Sequence, residues 1–290
     1  MSTMRPRILV AEGNTAEARR RRVSLAGATY SESYADVLRG LAPNAVIDIC
    51  YPADAGANLP DPGGLQGYDG VAITGSSLNV YAADPEVMRQ VEFARAIFAS
   101  GVPFFGSCWG LQVAATAAGG SVRRSPKGRE MGLARKIRLT EAGLGHPLHQ
   151  GKGPVYDAPA IHTDEVDVRP AGMTVTATNA FSDVQAAEIR YDGGIFWGVQ
   201  YHPEFTITDI AIIVASRTET LLDEGLFRDA ADIRAYVTDI EALAADPTRA
   251  DIAWKFGIEA DVIDPGLRTC ELRNWLDAMV APAMSARGRA

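Results

Sequence analysis

The sequence predicts an α/β fold with an open mixed, mostly parallel sheet, helices on both faces and a C-terminal helical extension. Up to about residue 120, short apolar runs alternate with segments of helical periodicity, which is the pattern of a parallel sheet with crossover helices. Between residues 132 and 201 the apolar runs are shorter and are separated by Gly, Pro and Asp, which is typical of antiparallel strands. From residue 208 onward the pattern is helical.

The first part of the chain contains four predicted strands and three predicted helices. Each strand is an apolar run that stops at a turn rich in Gly, Ser, Asn or Pro. In order, the elements are strand 7–11, helix 30–41, strand 45–51, strand 70–74, helix 85–100, the strand from Val102 to the turn at Cys108, and a helix to Ala118. Ligand sites in such sheets lie beyond the carboxyl ends of the strands, so Gly75, Ser76 and Cys108 mark the expected site.

The second part contains six predicted short strands followed by helices. The strands are 132–139, 155–160, 166–168, 174–178, 186–191 and 195–201, and the helices are 209–225, 230–245, 251–256 and 267–280. We divide the chain into a domain of residues 1–225 and a helical extension of residues 226–290 that packs on it, with Asp246-Pro247 as a candidate hinge. We interpret the apolar stripe of the last helices as a cap on the core rather than a surface for a partner.

The charge and the cysteine content exclude several classes of protein. The 290 residues carry a net charge of −8, which disfavours nucleic acid or an anionic membrane as the main partner. Cys50, Cys108 and Cys270 lie far apart and match neither a disulfide framework nor a metal site, and Cys50 is expected in the core. Met1 to Arg7 lacks the pattern of a signal peptide, and no apolar run approaches the roughly 18 residues of a membrane span. These observations predict a cytoplasmic protein.

Two polar clusters have a simple structural interpretation. We interpret Arg19 to Arg22 as a solvated loop or helix face, in preference to a site for a phosphate-bearing ligand or partner. His146 and His149 flank Pro147 in a polar loop and are expected to be exposed, with no carboxylate or cysteine at ligand spacing. We therefore predict no metal and no cofactor.

The clearest candidate for catalysis is Cys108, within the segment Gly106-Ser107-Cys108-Trp109-Gly110. A strand ends here and a helix begins, so a sharp turn lifts the cysteine above the sheet and the helix N-terminus presents N–H groups to it. Glycines two residues before and two residues after the cysteine allow that turn. The order of strand, turn and helix predicts a nucleophile.

A second segment, His202-Pro203-Glu204, supplies a general base and its orienting carboxylate. Pro203 favours extended backbone at His202, and in extended chain residues two apart point to the same side. Glu204 can therefore accept a hydrogen bond from one ring nitrogen while the other nitrogen faces Cys108. A lone buried cysteine is more often structural, and a lone histidine before proline is more often a turn residue. Together, the two segments favour a Cys–His–Glu triad.

Two segments, Gly106 to Gln112 and Gly198 to Glu204, resemble the signature motifs of class I glutamine amidotransferases. They are most similar to those of the amidotransferase domain of GMP synthase. The resemblance covers about residues 5–210 and includes the order of the elements. It implies the flavodoxin-like sheet of that family.

The resemblance also implies catalytic roles. Cys108 would be the nucleophile, His202 the general base and then the acid, and Glu204 the carboxylate that orients His202. The implied reaction is hydrolysis of the side-chain amide of glutamine through a γ-glutamyl thioester, which releases ammonia and glutamate.

An oxyanion hole follows from the same resemblance. Its donors would be the N–H of Trp109 and the loop at Gly75 and Ser76. The family usually has Gly-Gly-Pro in this loop, whereas this chain has Gly75-Ser76-Ser77. A serine lets the backbone turn less freely than a glycine does, so the hole could be looser or form only with a ligand.

Four further residues are candidates for substrate binding. Gln112 and Gly110 follow the nucleophile, and the alternative for Gln112 is packing beneath the elbow. His162 and Asp164 lie in a segment that resembles the family's His-Gly-Asp, with Thr163 in place of the glycine.

Three functions remain open from the sequence. The first is a stand-alone amidotransferase-like hydrolase that acts on glutamine and passes ammonia to an unknown acceptor or a separate synthetase subunit. No loop of an ATP-dependent synthetase domain follows Glu204. This favours the second function, a γ-glutamyl peptidase or hydrolase with the same triad. The third is a non-catalytic regulatory module on the same fold.

Overall fold

The computed structural model describes residues 5–288, which form a large mixed sheet, a small second sheet and helices. Residues 1–4 and 289–290 lie outside the described residues, and with them most of the Met1–Arg7 segment and the outer ends of the two predicted domains. Within residues 5–288, no helix combines the length and the hydropathy needed to cross a bilayer.

The large sheet has nine strands, and its parallel half carries the candidate site. The strands of the chain are β1 (Arg7–Ala11), β2 (Val46–Cys50), β3 (Gly70–Ile73), β4 (Phe104–Ser107), β5 (Ser121–Arg124), β6 (Glu130–Leu139), β7 (Val155–His162), β8 (Asp164–Val168), β9 (Met173–Thr178), β10 (Ala186–Tyr191) and β11 (Gly194–Val199). The order in the sheet is β2-β1-β3-β4-β11-β10-β9-β6-β7. The strands from β2 to β11 in this order pair in parallel, and the remaining four pair antiparallel. The predicted mixed sheet is confirmed.

The small sheet contains β5, a strand that the sequence does not predict. It pairs antiparallel with β8, so that Arg123 lies opposite Glu165 and Arg124 lies opposite Asp164. Nε of Arg123 donates to Oε1 of Glu165 at 3.1 Å. Because β5 contains two arginines and no apolar run, its pairing depends on this partner strand and leaves little signal in its own sequence.

The helices are α1 (Ala16–Ala26), α2 (Tyr30–Leu41), α3 (Pro85–Ser100), α4 (Trp109–Ala117), α5 (Glu141–Leu144), α6 (Ile207–Ser216), α7 (Thr218–Asp223), α8 (Ala230–Ala245), α9 (Ala250–Phe256), α10 (Ala260–Ile263), α11 (Pro265–Arg268), α12 (Cys270–Trp275) and α13 (Ala281–Ala286). A π-turn, Leu276–Val280, joins α12 to α13. The predicted helix 209–225 is in fact two helices, because Arg217 has φ of −122° and ψ of 23° and ends α6. The predicted helix 267–280 corresponds to the end of α11, all of α12 and the π-turn, and α13 lies beyond its predicted end.

The polar cluster Arg19 to Arg22 belongs to α1, and the interpretation as a solvated face is wrong for Arg22. Its side chain is 5% exposed, and Nη2 donates to Oδ1 of Asp209 at 2.7 Å. Its guanidinium also lies 4.6 Å from the ring centroid of Tyr30. The ion pair and the aromatic contact compensate for the burial of this charge.

The expected exposure of His146 and His149 is also wrong. His149 is buried, and its Nε2 lies 2.9 Å from Oγ1 of Thr176. Burial lowers the pKa of His149 to about 3, so the ring is neutral. His146 is mostly buried, with Nε2 at 3.2 Å from Oε2 of Glu188. The turn Pro147–His149 carries both rings inward onto the antiparallel strands.

Both faces of the sheet are covered. Leu9 of β1 packs on the side of α3 and α4, whereas Ile8 and Val10 pack on the side of α2 and the C-terminal helices. A Cβ atom on Gly70 would lie 2.7 Å from Val280, so the C-terminal helices approach the sheet closely. The last helices, at Trp275 and Val280, thus pack directly on the sheet, whereas α8 packs on α6, and a domain boundary at residue 225 stays a prediction.

Candidate active site

Cys108 lies between β4 and α4 in a backbone conformation that few non-glycine residues adopt. Its φ is 50° and its ψ is −97°. The N–H of Cys108 donates to the carbonyl of Val199 in the neighbouring strand β11 at 2.7 Å, which holds the turn in place. Strained backbone of this kind costs about 1–3 kcal/mol and occurs mostly at functional sites. The predicted elbow is present at this position.

The two glycines of the elbow allow the helix to lie close to the sheet. A Cβ atom on Gly106 would lie 2.7 Å from Cα of Gly110, and one on Gly110 would lie 2.8 Å from the carbonyl oxygen of Ile73. Gly110, a candidate for substrate binding, therefore lies beneath the elbow against β3. The positive φ at Cys108 and these close approaches together explain the pattern of glycine, cysteine and glycine.

His202 and Glu204 form the pair that the sequence predicts. Nδ1 of His202 lies 2.7 Å from Oε1 of Glu204, and both side chains are buried. The imidazole stacks on Phe205 with 4.0 Å between ring centroids and 1° between the planes. A Cβ atom on Gly75 would lie 2.6 Å from Cε1 of His202, so only a glycine fits beside the ring. Packing on both sides fixes the orientation of the imidazole.

The charge state of His202 depends on its neighbours. Burial favours the neutral ring, but the Glu204 carboxylate and the hydrogen bonds to Cys108 and Glu204 outweigh it and raise the pKa of His202 from 6.5 to about 10. The ring is therefore an imidazolium at neutral pH. A protonated ring that lines the same cavity as Cys108 is placed to give its proton to a leaving group.

Two residues that the sequence analysis does not identify support the second oxygen of Glu204. One contacts this oxygen directly, and the other contacts the first. Oγ of Ser107 donates to Oε2 of Glu204 at 2.8 Å, and the hydroxyl of Tyr34 lies 3.3 Å from Oγ of Ser107. Burial and the nearby carboxylate raise the pKa of Tyr34 well above its usual value, so its hydroxyl remains protonated. The signal in the sequence for Ser107 is its position directly before Cys108. Tyr34 fits the apolar stripe of a helix, and nothing in the sequence marks it as part of the site.

Asn14 holds the Gly75-Ser76-Ser77 loop, which the family resemblance assigns to the oxyanion hole. Its Nδ2 donates to the carbonyl of Gly75 at 3.0 Å and to Oε1 of Glu12 at 2.7 Å. Its Oδ1 accepts from the N–H of Ser77 at 3.2 Å and from Oγ of Ser76 at 3.4 Å. The side chain of Asn14 thus ties both serines that replace the family's usual glycine and proline. Nothing in the sequence indicates this role for Asn14, because it depends on the adjacent ends of β1 and β3.

The candidates for substrate binding divide into two groups. Nε2 of Gln112 donates to the carbonyl of Asp164 at 3.2 Å and to Oε1 of Gln200 at 3.3 Å. Both ring nitrogens of His162 are occupied, one by Glu130 at 2.8 Å and one by the carbonyl of Asp164 at 2.9 Å, so His162 supports the wall. The buried carboxylate of Asp164, in contrast, accepts from side chains of the segment after β3: Nδ2 of Asn79 donates to Oδ2 at 2.7 Å, and the hydroxyl of Tyr81 donates to Oδ1 at 3.2 Å.

Two cavities meet at Cys108. The larger cavity, of about 360 Å³, is lined by His202, Tyr30 and Phe205 among others. The smaller cavity, of about 270 Å³, is lined by Gln112, Asp164, Arg124 and Arg129 among others. Both contain the residues Ser76, Ser77, Cys108, Ile161 and Arg217. His202 is part of the lining of the larger cavity and not of the smaller one.

The chain matches the model of the glutamine amidotransferase class-I family over residues 28–213. A γ-glutamyl-L-1-hydroxyisopropylamide hydrolase of a Pseudomonas species is 35% identical over 281 residues, which cover 95% of this chain and 94% of that protein. GMP synthase (glutamine-hydrolyzing) of Mycolicibacterium paratuberculosis is 32% identical over 194 residues, which cover 66% of this chain. That match spans 32% of the GMP synthase, so the chain corresponds to about a third of that relative.

Solved structures show the same fold. A glutamine amidotransferase from Thermotoga maritima has a TM-score of 0.66 at 19% identity and covers 95% of this chain and 98% of its own. A glutamine amidotransferase from Methylobacillus flagellatus has a TM-score of 0.60 at 18% identity and covers 97% of this chain and 95% of its own. The family model and the full-length relative confirm the resemblance read from the two motifs. The chain belongs to the class-I glutamine amidotransferase family.

Proposed function

We propose that this protein is a stand-alone γ-glutamyl amide hydrolase in which Cys108, His202 and Glu204 act as a catalytic triad. The observation that carries the proposal is the buried His202–Glu204 pair at 2.7 Å beside a cysteine with positive φ at the N-terminus of α4. Family membership supports an amide hydrolase of the glutamine amidotransferase type.

The triad performs the reaction in two halves. The Cys108 thiolate attacks the γ-carbonyl carbon, and the N–H groups of Trp109 and of the Gly75-Ser76 loop bind the resulting oxyanion. The His202 imidazolium gives its proton to the amide nitrogen as the C–N bond breaks, which leaves a γ-glutamyl thioester and a free amine. Water then enters, His202 takes one of its protons, and the hydroxide attacks the thioester. Glutamate leaves, and the thiolate and the imidazolium are restored.

We use the position of His202 to infer which half of the substrate occupies which cavity. The proton donor must lie beside the leaving nitrogen, and His202 lines the larger cavity, so we place the amine there. The γ-glutamyl group then occupies the smaller cavity. There, the Asp164 carboxylate suits the α-ammonium, and Arg124 suits the α-carboxylate.

The size of the larger cavity favours amines larger than ammonia. Its volume is about 360 Å³, whereas one molecule the size of water needs only about 10–15 Å³ of such a cavity. The 35% identical Pseudomonas relative is named for a γ-glutamyl amide with a substituted amine, which supports the same substrate class for this chain. Glutamine is the smallest member of that class.

A second candidate function is the supply of ammonia to a separate synthetase. It is supported by the GMP synthase relatives, because the chain corresponds to about a third of the length of one of them. This function predicts that glutamine is the preferred substrate and that a synthetase partner accelerates its hydrolysis.

The test is glutamate release from glutamine and from N-alkyl γ-glutamyl amides. We expect release from both, with the higher kcat/KM for the substituted amides. Cys108→Ala should abolish it, whereas Cys50→Ala, which alters a buried cysteine at the end of β2, should not. If no γ-glutamyl compound is hydrolysed, the proposed function is wrong.

A further inference from the structure

The loop Gly75-Ser76-Ser77 presents a backbone donor that the protein itself does not use. The N–H of Ser76 makes no hydrogen bond among residues 5–288. Ser76 is half-buried and lines both cavities together with Cys108. The next N–H along the loop, that of Ser77, is in contrast occupied by Oδ1 of Asn14. The N–H of Ser76 is therefore available to a substrate oxygen.

The peptide unit between Gly75 and Ser76 is fixed by its carbonyl group. The carbonyl oxygen of Gly75 accepts from Nδ2 of Asn14 at 3.0 Å and from Oγ1 of Thr74 at 3.0 Å. Asn14 follows β1 and Cys108 follows β4, and β3 lies between these two strands in the sheet. The peptide is trans, so its C=O and its N–H point in opposite directions. Because the carbonyl is held on the β1 side, the N–H of Ser76 faces the β4 side, where Cys108 lies.

The side chain of Asn14 is fully used by contacts within the protein. It is buried, and its Nδ2 donates to Glu12 and to Gly75. Its Oδ1 accepts from the N–H of Ser77 and from Oγ of Ser76. A side-chain amide has two donors and two acceptor positions, and all four are occupied here. Asn14 lines the larger cavity but has no hydrogen bond left for a substrate, so any effect on the reaction passes through the loop.

Glu12 determines which way the amide of Asn14 is turned. It lies directly after β1 and is completely buried. Its Oε1 accepts from Nδ2 of Asn14 at 2.7 Å, and its Oε2 accepts from the N–H of Ser31 in α2 at 2.8 Å. A carboxylate only accepts, so Nδ2 and not Oδ1 must face it. The second hydrogen of Nδ2 is then directed at the carbonyl of Gly75.

We propose that Asn14 is a positioning residue for the oxyanion hole, because it holds the carbonyl of Gly75 and so aims the N–H of Ser76 at the oxyanion. The inference rests on the proposed function, since this oxyanion forms when Cys108 attacks the γ-carbonyl carbon. A buried side chain thus replaces the conformational freedom of the family's second glycine. The donor is aimed by residues of this chain, so the hole needs no partner subunit to form.

The test compares a reaction of Cys108 that forms an oxyanion with one that does not. Both halves of the hydrolysis of γ-glutamyl ethylamide pass through a tetrahedral oxyanion. Alkylation by iodoacetamide, in which the thiolate attacks carbon and iodide leaves, does not. In Asn14→Ala we expect kcat to fall about a hundredfold, as it does when an oxyanion donor is lost. The KM and the alkylation rate of the Cys108 peptide, followed by mass spectrometry, should stay within about threefold of native.

Thr74→Val is a second variant that acts on the same carbonyl. It removes the 3.0 Å donor from Oγ1 to Gly75, keeps the shape of the side chain and leaves Asn14 in place. We expect kcat to fall about tenfold, the effect of one hydrogen bond, with the alkylation rate unchanged. Asn274→Ala is the matched control. Nδ2 of Asn274 also donates to two backbone carbonyls, at 2.9 and 2.8 Å, but the residue lines neither cavity, so kcat and alkylation should stay native.

The outcomes separate this inference from the proposed function. A folded Asn14→Ala with kcat within about threefold of native would overturn the inference alone. Equal losses of hydrolysis and alkylation would also overturn it, because Asn14 would then support the triad or the fold. If Asn14→Ala does not fold, Thr74→Val decides by the same two criteria. Failure of the native protein to hydrolyse any γ-glutamyl compound would refute the proposed function, and this inference with it.

Discussion

Glu204→Gln tests the electrostatic part of the proposed triad. Burial lowers the pKa of His202, but the Glu204 carboxylate at 2.7 Å and, to a smaller extent, the side chain of Cys108 raise it from 6.5 to about 10. At about 1.36 kcal/mol per pKa unit, this step is worth roughly 5 kcal/mol in favour of the imidazolium. Glutamine keeps the size of the side chain and an acceptor oxygen but removes the charge. Burial, which lowers the pKa, then meets less opposition, and the pKa of His202 should fall from about 10.

The assay is kcat/KM for a γ-glutamyl amide across the pH range. In the native protein we expect an alkaline limb near pH 10, where His202 loses its proton. In Glu204→Gln the limb should move to lower pH, and the activity at neutral pH should fall by about a hundredfold, because fewer His202 rings carry the proton that the leaving amine needs.

Glu188→Gln is the control for this experiment. It alters another glutamate–histidine pair, in which Oε2 of Glu188 lies 3.2 Å from Nε2 of His146, and neither residue lines the two cavities. This variant should keep the native pH profile. An alkaline limb near pH 10 in Glu204→Gln, or a neutral activity within about threefold of native, would show that the Glu204 charge does not control His202.

Three further changes probe the groups around the pair. Ser107→Ala removes the 2.8 Å donor to Glu204 and should lower kcat about tenfold with little change in KM. Gly75→Ala places a Cβ atom 2.6 Å from His202 and should lower kcat/KM by about a hundredfold, measured alongside the melting temperature. His149→Gln should make the protein less sensitive to acid. In the native protein the pKa of His149 is depressed to about 3, so stability is lost as pH falls below 6.5. At two pH units below that value the loss is about 2–3 kcal/mol, measured by urea unfolding.

Each of these predictions has its own comparison. Tyr34→Phe removes only a 3.3 Å contact to Ser107, so it should cost less activity than Ser107→Ala, and the reverse order would contradict the positioning role. Ser77→Ala, which keeps the backbone donor to Asn14, should leave activity near native, unlike Gly75→Ala. If His149→Gln loses as much stability on acidification as the native protein, burial of a neutral ring is not the cause.

Local sequence signals were sufficient for much of the fold. The predicted bounds of α2, α3 and α8 agree with the structure, because an amphipathic pattern and a strong start signal coincide in each. Thr29, for example, caps α2 in a reciprocal capping box with Glu32. Helix α1 shows the opposite case. Its residues favour a helix and Thr15 caps it, but four consecutive arginines interrupt the apolar pattern by which a helix is recognised.

The parts that the sequence did not reveal depend on contacts between distant segments. Arg22 is buried because Asp209, 187 residues later, pairs with it. Ser107 and Tyr34 support Glu204 only after α2 packs on the end of β4. The motifs predict the triad because each of its residues lies in a short local pattern at the end of a strand. The residues that orient the triad come together only in the folded chain.

In the proposed reaction, Cys108 carries the γ-glutamyl group between the two halves. Acid-quenched mass spectrometry of the protein during turnover of a γ-glutamyl amide measures this directly. We expect one γ-glutamyl adduct on the peptide that contains Cys108, present in Cys50→Ala and absent in Cys108→Ala. Release of glutamate with no adduct on Cys108, or continued turnover by Cys108→Ala, would contradict it.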